Sequence, residues 1–304
     1  MVSVIRKLAT KPVWWWERSR TYPIRAQFDR LPPIPVRTAP IRFVVLSTPS
    51  TLNDSLWAAW SWYRFLGHEG IQLQLAIDGI VSSADSDVAS RLFPGVSICE
   101  AQWACRYVCE REPALETFVN NYPMGRKLAL ILALSQQSTI LYSDHDVYAF
   151  NAPSELLAYI ERDTACYFME DADGTRDAAI VDKAKELGLS YIPRFNSGFL
   201  HIPKGALSIE AAAKILAPWR PPADSWFAEQ TALSVLLRSA GAQALPPDRY
   251  VISARRQFYW EKDVDYSTIS ARHFTGTVRH VMYSYGMPIL LRQSQLGREE
   301  PENA

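Results

Sequence analysis

The chain has 304 residues, of which 48% are hydrophobic and 21% are charged, enough to bury the core of one large α/β domain. Its 32 basic and 32 acidic residues cancel, so the overall charge gives no argument for nucleic acid as a partner. The longest apolar run, residues 128–134, is far shorter than the ~18 residues of a membrane span, which predicts a soluble protein or one attached at most to a membrane surface. The four cysteines match no zinc-site spacing and predict reduced thiols in a cytoplasmic protein.

From residue 41 onward, strand and helix patterns alternate along the chain. Apolar runs typical of buried strands occur at residues 41–47, 71–79, 96–99, 139–143, 165–170 and 197–203. Helical patterns occur at residues 51–67, 82–92, 125–137, 153–161, 177–187, 207–217 and 225–239, with two less regular ones between residues 100 and 124. This alternation predicts an α/β fold with a doubly wound, mostly parallel sheet, whose ligands lie at the carboxyl ends of the strands. Asp78, Asp144 and Asp146 all fall at such ends.

Residues 1–40 are predicted to form a basic amino-terminal arm, followed by one domain at residues 41–288 and a tail at residues 289–304. Nine basic and two acidic residues within residues 1–42 give this part a net charge of +7, which leaves −7 for the rest of the chain. Six prolines between residues 11 and 40 predict a segment without regular structure of its own.

Two roles for this arm stay open. Three tryptophans at residues 14–16 lie among basic residues, a combination that can hold a protein on an anionic bilayer. In the other role the basic arm wraps its own acidic domain and buries the tryptophans. The proline spacing favours the second role because it prevents an amphipathic helix.

The stretch from residue 139 to residue 147 delivers two aspartates at the end of an apolar strand. In an extended segment Asp144 and Asp146 would face one side and His145 the other. Two neighbouring carboxylates repel unless a cation lies between them. Their oxygens suit Mn²⁺ or Mg²⁺, with coordination positions left for phosphate oxygens and water. The alternative is that these acids only cap the following turn.

Near the end of the domain, a short stretch combines a histidine, a glycine and an arginine at intervals of three residues. His273 is a candidate third metal ligand, Gly276 would let the backbone approach a diphosphate, and Arg279 could bind its oxygens. His273 could equally be a hydrogen-bonded core residue, and His280 competes with it as the ligand. The composition favours a phosphate-binding loop.

Four motifs in this order, "YSDHDV", "FNSGFL", "WFAEQTAL" and "HFTGTVRH", resemble those of nucleotide-sugar glycosyltransferases of the type A fold. The resemblance is strongest to the retaining family that includes glycogenin and bacterial galactosyltransferases, and it covers roughly residues 40–288. It implies that Asp144, Asp146 and His273 bind the metal. The remaining implied site residues are the donor contacts Lys127, Gly276 and Arg279, the sugar-pocket residues Asn196 and Gly198, and the pair Glu229 and Gln230 beside the reacting carbon.

Two further donor contacts are predicted from position. Asp78 follows an early buried strand, where a base or ribose would lie in a doubly wound sheet. Ser197 lies between the two implied pocket residues, at the start of a strand. Glu229 and Gln230 have an alternative role as favourable polar residues in the first turns of a helix.

The resemblance implies a metal-dependent transfer of a hexose from a nucleoside-diphosphate sugar, with UDP favoured, to an unknown glycan, lipid-linked or protein acceptor. Retention of configuration is expected. The chain has Glu229 where the family usually has Asp, and Arg279-His280 where it has Lys-Pro, so inversion stays open. In that case Glu170, Asp171 or Asp173 would be a candidate general base.

Two other functions are compatible with parts of the sequence. The first motif also resembles the nucleophile loop of haloacid-dehalogenase-type phosphatases. That function requires a later strand ending in paired acids, for which only "YFMED" at residues 167–171 is available. A sugar-nucleotide-binding module without turnover would carry the same metal and phosphate residues as the transferase.

Overall fold

The computed structural model describes residues 19, 21–67, 69–162, 165–171, 173–174, 176–217, 219, 227–252 and 264–296. The three tryptophans at residues 14–16 and the last eight residues of the predicted tail lie outside these ranges. Within them, none of the helices is long and apolar enough to cross a membrane.

Strands and helices alternate through most of the described chain. The strands are β1 (Ile41–Ser47), β2 (Ile71–Ile77), β3 (Ser97–Glu100), β4 (Ile140–Ser143), β5 (Val147–Ala149), β6 (Tyr167–Glu170), β7 (Phe195–Ile202), β8 (Gln243–Ala244), β9 (Tyr250–Ile252) and β10 (Ala271–His273). The α-helices are α1 (Leu52–Leu66), α2 (Ser83–Leu92), α3 (Gln102–Arg111), α4 (Glu116–Asn121), α5 (Gly125–Ser135), α6 (Ser154–Arg162), α7 (Ala178–Glu186), α8 (Ile209–Leu216), α9 (Ala228–Ser239), α10 (Arg279–Val281) and α11 (Met287–Leu296). Shorter-pitch 3₁₀ segments span Tyr22–Arg30, Pro49–Thr51, Pro113–Leu115 and Gly276–Val278, and a π-helical segment spans Met282–Gly286.

Seven strands form the main sheet, in the order β3-β2-β1-β4-β7-β6-β8. The first four of these run parallel, and β7 is antiparallel to both of its neighbours. A small second sheet has the order β5-β10-β9. Because only residues 144–146 separate β4 from β5, the small sheet brings β10 to the carboxyl end of β4. The predicted doubly wound, mostly parallel α/β architecture is confirmed.

Buried apolar side chains cover both faces of the main sheet. Strand β1 alternates between them, since Phe43 and Val45 belong to one buried cluster and Val44 to the other. Helix α1 covers the first face with Trp57 fully buried. Helix α5 covers the second face, and its apolar run at residues 128–134 is buried throughout. This run is therefore a core helix, which explains its continuous hydrophobicity.

The structure corrects the expectation of an extended segment at residues 144–146. These residues form a turn between β4 and β5, in which the Val147 N–H donates to the Asp144 carbonyl at 3.2 Å. The segment has to reverse here because β5 belongs to the second sheet. The turn still brings the two carboxylates together, so the predicted consequence of the pattern holds although its predicted geometry does not.

The structure also corrects the expectation that the whole arm lacks regular structure. Its amino-terminal segment (residues 21–36) contains the 3₁₀ helix and packs against α1. The indole N–H groups of Trp57 and Trp60 donate to the Arg25 and Pro32 carbonyls at 3.1 and 3.0 Å. Farther along, backbone bonds join residues 34 and 36 to the end of α2 and the residues after it. The prolines exclude an α-helix, but bonds from the domain hold the segment in place.

Candidate active site

Three potential metal ligands meet where β4, β5 and β10 come together. The ligand atoms of Asp144, Asp146 and His273 all lie within 4.8 Å of one another. The strand register produces this arrangement, since His273 pairs with Val147, the residue that follows Asp146. Two carboxylate oxygens and an imidazole nitrogen form a donor set that suits Mn²⁺ or Mg²⁺. The expectation that these three residues come together is confirmed.

Asp144 accepts hydrogen bonds from two buried side chains. The Tyr142 hydroxyl donates to Oδ1 at 2.6 Å, and the Lys127 ammonium donates to Oδ2 at 3.0 Å. The pKa of Tyr142 is raised well above its ordinary value, mainly by burial and secondly by the charge of Asp144. Its hydroxyl therefore stays protonated and remains a donor. These bonds fix the orientation of the Asp144 carboxylate.

Asp146 is buried, and each of its oxygens faces a nitrogen. His273 Nε2 lies 3.2 Å from Oδ1, and Arg279 Nη2 lies 2.5 Å from Oδ2. Burial alone would raise the pKa of this carboxyl, but the neighbouring His273 and Arg279 hold it well below its usual range. Asp146 is therefore ionised, as a metal ligand must be.

The orientation of His273 is set by the backbone of β7. The Gly198 N–H donates to Asn196 Oδ1 at 2.8 Å, which identifies that atom as the amide oxygen, and His273 Nδ1 lies 2.9 Å from the same oxygen. Because an amide oxygen only accepts, Nδ1 must carry a proton. Nε2, which faces Asp146, is then the ring nitrogen available to a metal. Gly198 makes room for the ring, since a Cβ there would lie 2.4 Å from His273 Cε1.

Next to Asp144, a buried ionic cluster joins α5, β7 and α9. Lys127 Nζ donates to the Ser197 hydroxyl at 3.0 Å and lies 3.6 Å from Glu229 Oε1, while the Ser197 hydroxyl donates to Glu229 Oε2 at 3.2 Å. Burial raises the pKa of Glu229 to about 7, although the Lys127 charge opposes this. Burial alone would lower the pKa of Lys127, but Asp144 and Glu229 raise it, so the ammonium stays charged.

Two polar atoms beside this cluster have no hydrogen-bond partner among the described atoms. They are Glu229 Oε1 and Gln230 Nε2, and both are buried. The other end of the Gln230 amide accepts from the Ser197 N–H at 3.4 Å. Buried polar groups in folded proteins are normally paired, so such a pair of atoms is typical of a place where a polar ligand binds.

A cavity of about 230 Å³ reaches the neighbours of the metal-ligand group, since His145 and the Asp146 partner Arg279 both line it. Its walls come from the amino-terminal segment, the turn after β1, the β4–β5 turn and the chain after β10. The lining residues are Tyr22, Arg25, Ser50, Thr51, Asp54, His145, Gly276, Arg279, His280 and Tyr283. Two of the predicted diphosphate contacts, Gly276 and Arg279, are thus part of one cavity. No heavy atom lies within 4 Å of a Cβ placed on Gly276, so this glycine faces open space.

Two predicted site features lie apart from the cavity and the metal group. Asp78 follows β2 as expected, and its carboxylate pairs with Arg126 from α5. It is not among the residues that line the cavity. Glu170, at the end of β6, pairs with the exposed Arg194 at 2.8 Å. The described residues of this acidic cluster do not join the metal-ligand group, which the phosphatase alternative would have required.

Sequence reasoning missed several residues of this site. Tyr142 lies two positions before Asp144, and the alternation of β4 was a signal that it faces the same side. Asp54 and Arg25 form a buried ion pair with Nε to Oδ1 at 2.5 Å, but 29 positions separate them. A pair of this kind depends on how the amino-terminal segment docks, which no local pattern encodes.

No protein-family model matches the chain, and no curated protein matches it either. Solved structures do resemble it. The galactosyltransferase LgtC, solved with donor and acceptor sugar analogues, is 16% identical, with a TM-score of 0.57 and coverage of 86% of this chain and 98% of LgtC. Mouse xyloside xylosyltransferase 1 is 11% identical, with a TM-score of 0.54 and coverage of 81% of this chain and 99% of its own. The bifunctional glycosyltransferase WbbM is 13% identical, with a TM-score of 0.53 over 87% of this chain, which spans 53% of WbbM.

At such low identities these likenesses concern the fold. The main sheet, its helices and the small sheet that carries β10 together form the fold of type A glycosyltransferases. The fold predicted from the four sequence motifs is thereby confirmed. The Asp144, Asp146 and His273 group lies in this chain at the carboxyl end of β4, the edge of the sheet where ligands of such folds bind.

Proposed function

We propose that the protein is a metal-dependent glycosyltransferase that moves a hexose from a nucleoside-diphosphate sugar to an acceptor. The observation that carries this proposal is the position of the metal-ligand group. This group connects to the cavity, since Asp146 pairs with the lining residue Arg279, and to the Glu229 and Gln230 pair, since Asp144 accepts from Lys127, which lies 3.6 Å from Glu229 Oε1. A donor with its diphosphate at the metal and its sugar toward Gln230 would use all three features.

The residues present fit a divalent cation. Asp146 is ionised, His273 presents Nε2, and Asp144 is held by Tyr142 and Lys127 with its side chain 19% exposed. Bound there, Mn²⁺ or Mg²⁺ would act as a Lewis acid toward the departing diphosphate. We favour Mn²⁺ because the imidazole ligand suits it better than Mg²⁺.

Positively charged side chains of the protein would stabilise the leaving group as well. Breaking the bond between the anomeric carbon and the diphosphate builds negative charge on the leaving oxygens. Arg279 lines the cavity and can donate to those oxygens, and the buried Lys127 adds a fixed positive charge beside Asp144. Gly276 lets the backbone approach the diphosphate because no side chain projects there.

On the sugar side, the donor's hydroxyl groups would satisfy the buried polar atoms. Gln230 Nε2 can donate to a hydroxyl, and Glu229 can accept from one or stabilise positive charge at the reacting carbon. Asn196 and Ser197 would form the neighbouring wall, held by the bonds of Asn196 to His273 and of Ser197 to Lys127 and Glu229, while Gly198 leaves room for the His273 ring. We propose retention of configuration from the motif resemblance, UDP as the nucleotide, and Asp78 as a contact of the nucleoside.

From the sequence we also propose a glycan, a lipid-linked sugar or a protein as the acceptor, the cytoplasm as the site of action, either free in it or on the membrane surface, and residues 41–288 as the domain. Helix α11 extends across that last boundary, which makes residues 289–296 part of the packed structure.

Donor hydrolysis tests the function directly. Incubating the protein with a panel of nucleotide sugars and Mn²⁺ should release the sugar from one of them, and EDTA or Asp146→Asn should abolish the release. Metal-dependent donor binding without any release would instead identify a binding module. Release of phosphate from aryl phosphates, with no donor binding, would contradict the proposal.

A further inference from the structure

The amino-terminal segment precedes the first strand of the fold, yet it supplies two of the residues that line the cavity beside the metal group. Tyr22 and Arg25 both line that cavity. The ring of Tyr22 stacks edge-on against Tyr283, with ring centroids 5.4 Å apart. The cavity is therefore closed on this side by a part of the chain that lies outside the sheet and its helices.

Arg25 ties this segment to the turn that follows β1. Its guanidinium donates to three groups: Asp54 Oδ1 at 2.5 Å, the Ser50 carbonyl at 2.9 Å, and the Tyr22 hydroxyl. Asp54 is 3% exposed, and its other oxygen accepts from the Tyr283 hydroxyl at 3.4 Å. One planar side chain thus holds the 3₁₀ helix, the turn and helix α1 in register, and through Asp54 also the chain after β10.

The turn held in this way has the position of a nucleotide-binding element. It directly follows β1, and ligands of doubly wound sheets bind in the crevice outside the carboxyl ends of the strands. Its described lining residues include four cationic or imidazole groups, Arg25, Arg279, His145 and His280, and one carboxylate, Asp54. Asp54 pairs with Arg25, and Arg279 pairs with Asp146, which is not among the lining residues. Such walls suit the phosphates of a nucleotide.

We propose that the amino-terminal segment is part of the donor site and that Arg25 is a positioning residue, which holds the turn at residues 48–51 in the form that binds the nucleoside diphosphate. This inference rests on the proposed function. It adds to that function a residue from outside the shared fold, acting through the turn and through Asp54.

The test measures the affinity of the full-length protein for UDP, with GDP in parallel, by calorimetry in the presence of Mn²⁺. Arg25→Gln should weaken binding of the preferred nucleotide by about tenfold or more, since it removes charge-assisted bonds to the turn. Binding of Mn²⁺ alone should be unchanged, because the metal-ligand group does not contact Arg25. A role limited to stability would lower the melting temperature and leave nucleotide affinity as in the wild type.

Arg64 provides the matched control. Arg64 lies on α1 and, like Arg25, joins separate elements: it donates to the Phe150 carbonyl at 2.9 Å and to Gln293 at 2.8 Å. It is not among the residues that line the cavity. Arg64→Gln should cost stability without changing nucleotide affinity. Arg25→Lys retains the charge but lacks the planar fork whose separate nitrogens reach the three groups. Nucleotide binding should therefore stay weakened, and full recovery of affinity in this variant would contradict a positioning role.

The same measurements distinguish failure of the Arg25 role from failure of the glycosyltransferase function. Wild-type affinity in Arg25→Gln overturns the role of Arg25 and leaves the glycosyltransferase proposal intact. Binding of neither UDP nor GDP to the wild-type protein with Mn²⁺ overturns both.

Discussion

At the scale of single residues, the metal site depends on a hydrogen bond behind its ligands. Asn196 holds His273 with Nδ1 protonated, so that Nε2 faces the two aspartates. Partners of this kind typically change metal affinity by about 10- to 100-fold when removed. Asn196→Leu should therefore weaken Mn²⁺ binding by about that much, measured by calorimetry, whereas Asn196→Asp keeps the acceptor and should lose less. Nitrogen-15 spectra of the imidazole should report the Nδ1-protonated tautomer in the wild type, and an Nε2-protonated ring there would contradict this role.

Two glycines of the site should respond in opposite ways to alanine. A Cβ at Gly198 would lie 2.4 Å from Cε1 and 2.5 Å from Nδ1 of His273, both in a rigid ring, so Gly198→Ala should displace the imidazole and abolish Mn²⁺ binding. Gly276 has open space around the same position, so Gly276→Ala should fold and bind Mn²⁺ normally. If the backbone at Gly276 contacts the diphosphate, however, Gly276→Ala should bind UDP less tightly than the wild type does. Calorimetry measures Mn²⁺ binding in both variants. Loss of Mn²⁺ binding in Gly276→Ala would contradict the prediction that this glycine affects only the diphosphate.

The raised pKa of Glu229 predicts that the stability of the protein depends on pH. Its pKa is raised from an ordinary 4.5 to about 7 in the folded protein, chiefly by burial. Between those values the folded state holds more protons than the unfolded state, so the free energy of unfolding should fall as the pH rises through this window and level off above about 7. Glu229→Gln removes this titration, so its melting temperature relative to the wild type should increase from pH 5 to pH 8 in metal-free buffer. A difference that does not vary with pH would show that Glu229 is ionised throughout.

Sequence reasoning identified the ligands but not the residues that hold them. Asp144, Asp146 and His273 were accessible because their side-chain chemistry and spacing point to a metal even before folding. Tyr142, and the bonds that Asn196 makes to His273, depend on which strands become neighbours. Ser143 pairs with Phe199, and His273 pairs with Val147, so two registers decide the contacts of the whole site. Sequence periodicity predicts strands but does not fix such registers between distant segments.

At the scale of elements, the strands and helices of the core were predictable because their apolar runs have a clear period and end in caps. Helix α2 begins after Ser82, whose side chain accepts from the Asp85 N–H. The 3₁₀ helix at Tyr22–Arg30 was not predictable, because its stabilising partners, Trp57 and Trp60, come from a helix later in the chain. Local composition there indicated only an irregular arm.

The docking of this segment can be tested at one of its hydrogen bonds. The Trp60 indole donates to the Pro32 carbonyl, and the Ile34 and Val36 amides donate to Leu92 and Pro94 at 2.8 and 2.7 Å. Trp60→Phe keeps an aromatic ring but removes the bond, worth about 1 kcal/mol, so exchange of those two amides should accelerate by about fivefold. Trp62→Phe is the control, because the Trp62 indole donates to the Val147 carbonyl instead. Unchanged exchange in Trp60→Phe would show that the segment is held elsewhere.

At the scale of the whole molecule, the fold explains why the site lies where it does. The parallel strands β1, β2 and β4 deliver their carboxyl ends to one edge of the main sheet, and the small sheet returns β10 to that edge from nearly the end of the chain. The amino-terminal segment reaches the same edge from the other terminus. The cavity is therefore lined by three distant parts of the chain, residues 22–54, residue 145 and residues 276–283, which only the folded domain brings together.

The basic arm and the acidic domain differ in charge, and two truncations of the arm can show what this difference is for. Residues 22–36 pack on the domain through buried Arg25 and the indole bonds, so deleting residues 1–38 should lower the melting temperature by several degrees. Deleting only residues 1–18 leaves these contacts in place. That truncation removes the three tryptophans and Lys11, and it separates the two roles of the arm.

If residues 1–18 attach the protein to a membrane, the shorter truncation should abolish salt-sensitive binding to vesicles containing anionic lipid, while the melting temperature stays as in the full-length protein. Each basic residue near such a surface contributes about 1 kcal/mol, so binding should weaken steeply between low and physiological salt. Neutral vesicles are the control and should bind neither form. If the shorter truncation instead lowers the melting temperature and the full-length protein ignores anionic vesicles, the tryptophans pack on the domain, and the +7 charge of residues 1–42 serves to hold the arm against its acidic surface.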